Sequence, residues 1–345
     1  MKQLLVDLCE RGVVPDSVTR AGMRRLIGGR LGQESGQDAA DRLNAFTQAI
    51  QDGPIAIATD DANNQHYMVP DQFFVEVLGP RLKYSSCLYH PGVRDLAQAE
   101  ETMLAETIKR AELVNGMDIL ELGCGWGSLS LYMAERLPKS TIWAVSNSAS
   151  QREYIEGVAA RKGLKNLTVV TANVAELSLD RQFDRVVSVE MFEHMRNYRA
   201  LLSNIHLWLR DEGKLFVHIF CHRAHGYTFE VGEGTDWMAE NFFTGGIMPS
   251  FDVFDRVESP MNLVQAWWIN GQHYERTLNS WLETLDQRKA VVEKLFMDHY
   301  GESQSAARRR IQKWRMFFMA SAELFGFDDG TEWGVGHYLL EKGQV

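Results

Sequence analysis

Three glycines at alternate positions, Gly123, Gly125 and Gly127, stand between a short apolar run, residues 117–122, and a stretch of helical spacing that begins at Ser128. Glycine adopts backbone angles closed to other residues, so Gly123 and Gly125 permit a tight turn and let a ligand come up against the main chain, while Gly127 lets the helix sit close to the strand. This is how a nucleotide-type cofactor site is built. A dinucleotide fingerprint would read Gly-x-Gly-x-x-Gly with an acidic residue about 20 positions on. Here the spacing is Gly-x-Gly-x-Gly, and the next apolar run, residues 140–145, ends in Ser146, Asn147, Ser148, Ala149, Ser150 and Gln151 with no carboxylate. The expected ligand is S-adenosylmethionine, not a nicotinamide cofactor.

Elements must bring these groups together. After a helix expected over residues 96–111, apolar strands alternate with helical stretches at 118–121, 141–145, 167–171, 185–189 and 214–220. The alternation predicts an α/β fold with a doubly wound parallel sheet, whose ligands lie outside the carboxyl ends of the strands. The glycine motif, Ser146, Asn173, Glu190 to Glu193 and His218 all fall at those ends. Past Cys221 the pattern predicts a strand over 263–269, two charged helices and a final strand over 336–340. Residues 1–54 are expected to form a helical N-terminal module, with Leu4, Leu5, Leu8, Met23, Leu26 and Ile27 at helical spacing. The main domain is expected over 55–345, with a lid over 55–95 and a cap over about 222–276. Trp237, Phe242, Phe243, Trp267 and Trp268 are candidates to line the pocket, against the alternative of ordinary core packing.

Composition sets bounds. At 345 residues with 45% apolar content, the chain has room for one large or two moderate globular domains. Its four cysteines, Cys9, Cys87, Cys124 and Cys221, are far apart and show no metal-ligand or redox spacing, so no metal is expected and a cytoplasmic, reducing setting fits. No apolar run reaches the roughly 18 residues of a membrane span. A net charge of −10 argues against a nucleic-acid partner. Peripheral membrane contact is the most that patches such as 20–30 and 308–310 would support, and a homo-oligomer is left open.

In order along the chain, Tyr84-Ser85-Ser86-Cys87, Glu-Leu-Gly-Cys-Gly-Trp-Gly-Ser-Leu at 121–129, the 146–151 run and Ser-Val-Glu-Met-Phe-Glu-His at 188–194 resemble the cyclopropane-fatty-acid synthase superfamily of S-adenosylmethionine-dependent enzymes. The resemblance covers most of residues 55–342. The stretches 67–70, 242–246, 271–277, 314–315, 322–333 and 336–338 look more like its coclaurine N-methyltransferase branch. The resemblance implies a Rossmann-like class I methyltransferase sheet. It also implies that Tyr84 and Ser85 meet the methionine carboxylate, Gly123 and Gly125 the methionine and ribose, Ser146 and Gln151 the ribose hydroxyls, and Asn173 the adenine amino group. Asn147 and Glu190 belong with the same cofactor set. Asn173 replaces the more usual aspartate, and a neutral acceptor is weaker than a charged one.

At the reaction centre the lipid branch holds a bicarbonate ion with a cysteine, a glutamate, a histidine and a tyrosine, and this chain matches with Ser86, Glu193, His218 and Tyr274. Three of the four side chains are kept. If the nucleophile is an amine it must arrive unprotonated, which makes His218 or Glu193 the candidate base and Tyr274 an orienting group. The alternatives are a satisfied core histidine for His218 and a strand-end ion pair for Glu193. The favoured expectation is methyl transfer to a small, hydrophobic or aromatic amine. The competing ones are a lipid enzyme that methylates or cyclopropanates acyl chains, with bicarbonate as cofactor, and a noncatalytic cofactor binder.

Overall fold

The computed structural model describes residues 2–57, 69–229, 237–242 and 245–343. Positions 58–68 of the expected lid, and 230–236 and 243–244 of the expected cap, Phe243 among them, lie outside the described residues.

The chain begins with three helices, α1 (Lys2–Glu10), α2 (Asp16–Glu34) and α3 (Ala39–Ala49), followed by α4 (Asp71–Val77) and α5 (Leu96–Arg110). Asp95 caps α5, its side chain accepting from the Gln98 amide. Strands and helices then alternate: β1 (Asp118–Leu122), α6 (Ser128–Arg136), β2 (Thr141–Ser146), α7 (Ala149–Lys162), β3 (Leu167–Thr171), β4 (Phe183–Val189), α8 (Tyr198–Trp208) and β5 (Leu209–His222). The apolar strands are buried between helical layers, as parallel strands must be.

The segment expected as a cap follows as β6 (Tyr227–Thr228), α9 (Trp237–Asn241), β7 (Ile247–Met248) and α10 (Val253–Arg256). After β8 (Met261–Asn270) come α11 (Gln272–Gln287), α12 (Lys289–Tyr300) and α13 (Gln304–Phe325), and the chain ends on β9 (Trp333–Lys342). Seven strands form one sheet in the order β3-β2-β1-β4-β5-β9-β8. It is parallel from β3 to β5, and β9 is antiparallel to both neighbours. The five expected parallel strands are all found.

Two differences have local causes. β5 starts at Leu209, five residues before the expected strand, because Arg210, Asp211 and Glu212 are polar and hide the strand until the pairing with β4 recovers after a register shift. Three helices stand where two were expected, since Arg288 leaves helical geometry at φ −96° and ψ 7° and separates α11 from α12.

The N-terminal helices pack against the far end of the chain. Cys9, Met23 and Ile27 share an apolar cluster with Trp314, Phe317 and Phe318 of α13. Arg315 reaches Asp16 at 2.6 Å and Arg20 reaches Glu323 at 2.8 Å, which fixes the register of α2 on α13. Phe46 and Ile50, from α3 and the residue after it, join the cluster around β4, β5 and α8.

Candidate active site

Over the carboxyl ends of β1, β2 and β4 lies a cavity of about 1140 Å³, walled by the glycine loop, by α2 of the N-terminal region and by α11 and α13. The volume exceeds the roughly 300–1,000 Å³ of a single small-molecule site. It can hold two ligands side by side. All three glycines have φ values open to few other residues: 76° at Gly123, 50° at Gly125 and 76° at Gly127. A Cβ on Gly127 would stand 2.5 Å from Ile155 Cγ1 of α7, so this glycine sets helix packing; one on Gly125 would meet nothing within 4 Å and projects into open space. Gly125 is therefore where a ligand can approach the main chain.

The expected cofactor residues line this cavity: Tyr84, Ser85, Gly123, Gly125, Ser146, Asn147, Gln151, Asn173 and Glu190. Ser146 donates to Gln151 Oε1 at 2.6 Å, which turns the glutamine so that Nε2 has no partner among the described residues. The buried Ser128 hydroxyl is also without one. Unmet buried donors of this kind fit a ligand rich in oxygen and nitrogen acceptors, such as the ribose and amino-acid parts of S-adenosylmethionine. Asn173 Oδ1 already accepts from the Ala175 amide at 3.0 Å and caps a short 3₁₀ turn. Sequence reasoning passed over Glu121, which also lines the cavity: its carboxyl accepts from the Ser130 hydroxyl, and burial pushes its pKa up to about 8.

Glu190 is the hub of the reaction end. It occupies the left-handed region at φ 46°, a strained conformation for a non-glycine residue that clusters at functional sites. Its amide donates to the His218 carbonyl at 2.8 Å. Its carboxylate accepts from the Ser86 amide at 2.9 Å and the Tyr274 hydroxyl at 2.5 Å, and lies 3.1 Å from His218 Nε2. Tyr274 is steadied by stacking on Phe325, centroids 4.4 Å apart. The buried Lys83 donates to the Ser85 hydroxyl and, at 2.7 Å, to the Ser86 carbonyl, and its charge opposes the rise that burial imposes on the Glu190 pKa. Glu193 lies in the same turn and lines the same cavity, but its Oε2 has no partner among the described residues. Burial, and then the charge of Glu190, hold its carboxyl well above the usual range. Burial raises both carboxyls, and the hydrogen bonds and Lys83 oppose the rise at Glu190, so Glu190 is the more acidic of the two.

These contacts correct the expected bicarbonate set. The Ser86 amide, His218 and Tyr274 converge on the Glu190 carboxylate itself, so the donors an added anion would need are already engaged. The residues do not fit a bicarbonate ion. Tyr274 and Glu193 face the cavity, whereas His218 is fully buried behind its wall with both ring nitrogens engaged. Ser86 is also fully buried, its hydroxyl turned to the Cys87 carbonyl.

Among the aromatics, Trp237 lines the cavity as expected. Phe242 stacks on Phe317 in the core, and Trp267 and Trp268, out on β8, lie under Arg110 and Arg223. His194 was missed although it ends the 188–194 motif: it lines the cavity beside Glu193, and loss of water pushes its pKa down to about 4. Adjacency to Glu193 was the available signal.

Known proteins agree with this geometry. The family described as mycolic acid cyclopropane synthetase matches residues 57–329. An (S)-coclaurine N-methyltransferase of Thalictrum flavum subsp. glaucum is 33% identical over 99% of this chain and 97% of that protein. A cyclopropane-fatty-acyl-phospholipid synthase of Escherichia coli is 27% identical over 75% of this chain and 68% of its own. A crystal structure of coclaurine N-methyltransferase bound to N-methylheliamine and SAH superposes with a TM-score of 0.94 at 32% identity, covering 98% of this chain and 99% of that one. With that fold and a cavity suited to the cofactor, the chain belongs to the mycolic acid cyclopropane synthetase family and is an S-adenosylmethionine-dependent methyltransferase of its N-methyltransferase side.

Proposed function

We propose that the protein methylates the nitrogen of a hydrophobic aromatic amine of the alkaloid type, as the name of its coclaurine N-methyltransferase relative suggests. The observation that carries this reading is the pairing, in one cavity, of apolar walls such as Trp281, Phe317 and Phe325 with a floor that holds Glu190, Glu193 and His194. Apolar walls select an aromatic skeleton, and carboxylates select a basic nitrogen. The Glu190 carboxylate in the would-be anion site weakens the lipid reading.

S-adenosylmethionine supplies a methyl group already activated on sulfonium, so the protein's task is to align, exclude water and manage one proton. Positioning of this kind contributes roughly 7–11 kcal/mol. An amine brought in from neutral water carries a proton that blocks its lone pair. Glu193, whose ionised form is made basic by burial, is the group on the cavity floor able to take it, beside a His194 that burial keeps neutral and only weakly basic. Glu190 is the more acidic carboxyl beside them, and Tyr274 and Ser86 hold Glu190 in place. His218 serves from behind the wall and not as the base. In the cofactor half we assign Tyr84, Ser85, Gly123, Gly125, Ser146, Asn147, Gln151 and Asn173 to binding, with Glu121 added as a carboxylate for the cationic end.

The reading also takes residues 1–54 as a helical module that completes the cavity wall, and sets the enzyme in the cytoplasm, where its four unbridged thiols would stay reduced. No helix among the described residues is long and apolar enough to cross a membrane. The test is incubation of the purified protein with methyl-labelled S-adenosylmethionine and, in parallel, tetrahydroisoquinoline amines and unsaturated phospholipid vesicles. Label in the N-methyl amine, at a rate that rises with pH as amine and base lose protons, is the expected result. Label only in acyl chains would overturn it.

A further inference from the structure

On the side of Glu190 away from the cavity, an unbroken line of hydrogen bonds crosses two strands to the end of α5. His218 Nε2 is 3.1 Å from Glu190 Oε1, His218 Nδ1 is 2.8 Å from His337 Nε2, and His337 Nδ1 is 3.0 Å from Arg110 Nη1. The two imidazoles are register partners on β5 and β9, and both are fully buried. The direction of the line follows from its outer end. A guanidinium has only donors and does not lose its proton in a protein, so His337 Nδ1 must be a bare acceptor. Its hydrogen then sits on Nε2 and points at His218 Nδ1, and the His218 hydrogen sits on Nε2 and points at Glu190. The tautomer of each ring is set by the hydrogen bond that the other nitrogen makes.

We propose that Arg110 and His337 are positioning residues for the methyl transfer: they lock His218 in its Nε2–H tautomer and so keep a donor permanently on the back of the Glu190 carboxylate. The kinetic part of this inference rests on the amine-methyltransferase reading; the tautomer part does not. Arg110 is itself held in place, by Glu106 Oε1 at 2.7 Å and by the Trp267 ring, whose centroid is 5.1 Å from Arg110 Cζ. His218 also grips Glu190 twice, since its carbonyl accepts from the Glu190 amide while its ring donates to the carboxylate. The titratable and charged groups facing Glu190 are Lys83, Cys87, Glu193, His194, His218 and Tyr274. Those facing the histidine pair are Lys83 and Arg110. Lys83 bears on both ends and stays fixed in the tests below.

Nitrogen-15 spectra of histidine-labelled protein, assigned with His337→Gln, read each tautomer directly. Both His218 and His337 are expected as neutral Nε2–H rings, and Arg110→Met is expected to bring in Nδ1–H signal at His337. In turnover, Arg110→Met should move the acid limb of kcat up by about one pH unit and lower kcat at pH 7 about tenfold, with KM for the amine changed less than twofold. Arg110→Lys should restore the limb at least partly. Where Arg110→Met fails to fold, the pair His337→Gln, which retains an acceptor and a donor, and His337→Leu, which retains neither, carries the test: only the leucine variant should shift the limb. An Nδ1–H tautomer at either ring in the unmodified protein, or tautomers and acid limb unchanged in Arg110→Met, would overturn the proposal. An unmodified protein that methylates no amine removes the amine reading alone, because the tautomers are still measured.

Discussion

Glu190 and Glu193 lie in one turn, share one cavity and carry opposite assignments. Glu190 meets the Ser86 amide, the Tyr274 hydroxyl and His218, with Lys83 nearby, whereas Glu193 Oε2 meets nothing among the described residues. Hydrogen bonds to a charged form favour it, and burial beside a like charge disfavours it, so the two carboxyl groups are driven apart in pKa. A more acidic carboxyl and, once ionised, a more basic one result from two residues of one type. Replacing Glu193 with Gln removes the acceptor while keeping the shape, and kcat is expected to fall roughly 10²-fold with S-adenosylmethionine affinity changed less than about threefold. Steady-state rates with calorimetry read both, and a kcat within twofold of the unmodified enzyme would take Glu193 off the catalytic list. Tyr274→Phe takes one donor from Glu190 and leaves the packing on Phe325, so the acid limb of kcat should move to higher pH.

The glycine loop between β1 and α6 shows two elements brought together for different reasons at two nearby positions. Gly127→Val would force Cβ into Ile155 of α7 in a backbone conformation that disfavours branched side chains, with an expected loss of about 2–4 kcal/mol of stability from strain and overpacking. Gly125→Val shares the backbone strain but faces open cavity and overpacks nothing, so it should lose less stability than Gly127→Val and weaken cofactor binding more. Melting curves and calorimetry on the pair separate the roles; equal melting temperatures for the two would contradict the assignment. The loop, the strands and their order of succession were legible because buried parallel strands are runs of apolar residues and the turn needs glycine. Contacts across the fold were not. His337 and Arg110 are 227 residues apart, and nothing in the spacing of either hints at the other. The same limit misplaced His218, whose strand was right but whose side chain meets β9 and not the cavity, and it put Glu190 with the cofactor set, although its left-handed backbone turns it into the donors that the resemblance had given to bicarbonate. Trp267 and Trp268 misled in a similar way, since aromatic residues on β8 are as useful under arginines at a sheet edge as in a pocket wall.

At the scale of the molecule, a cavity built for a cationic cofactor and a basic substrate is a source of instability when empty. Burial raises Glu121 to about 8 and Glu193 well above its usual value in the cavity, and raises Glu100, outside it, to about 7. Each of these binds its proton more tightly folded than unfolded, so its stabilising contribution is complete below about 4.5 and is lost as pH rises through the folded value. Histidines act in the opposite sense: His194 is pushed down to about 4 and His222 to about 3, with His218 and His337 also well below their usual value. Their contribution is complete above about 6.5 and is lost as pH falls. Carboxylates lowered by ion pairs, such as Asp16 and Asp184, contribute fully across this range. The two sets oppose one another between about pH 4.5 and 6.5, and above that the raised carboxyls outnumber the buried amine pushed the other way, Lys83. The ligand-free enzyme should therefore be most stable near pH 6.5 and lose about 2 kcal/mol by pH 8, several degrees in melting temperature. Saturating S-adenosylmethionine should flatten this alkaline decline, because its positive charge favours the ionised form of Glu121, and Glu121→Gln should flatten it without ligand. Melting curves from pH 5 to 9, with and without the cofactor, measure both effects, and a melting temperature that holds or rises from pH 6.5 to 8 in the ligand-free protein would show that the cavity carboxyls are already compensated.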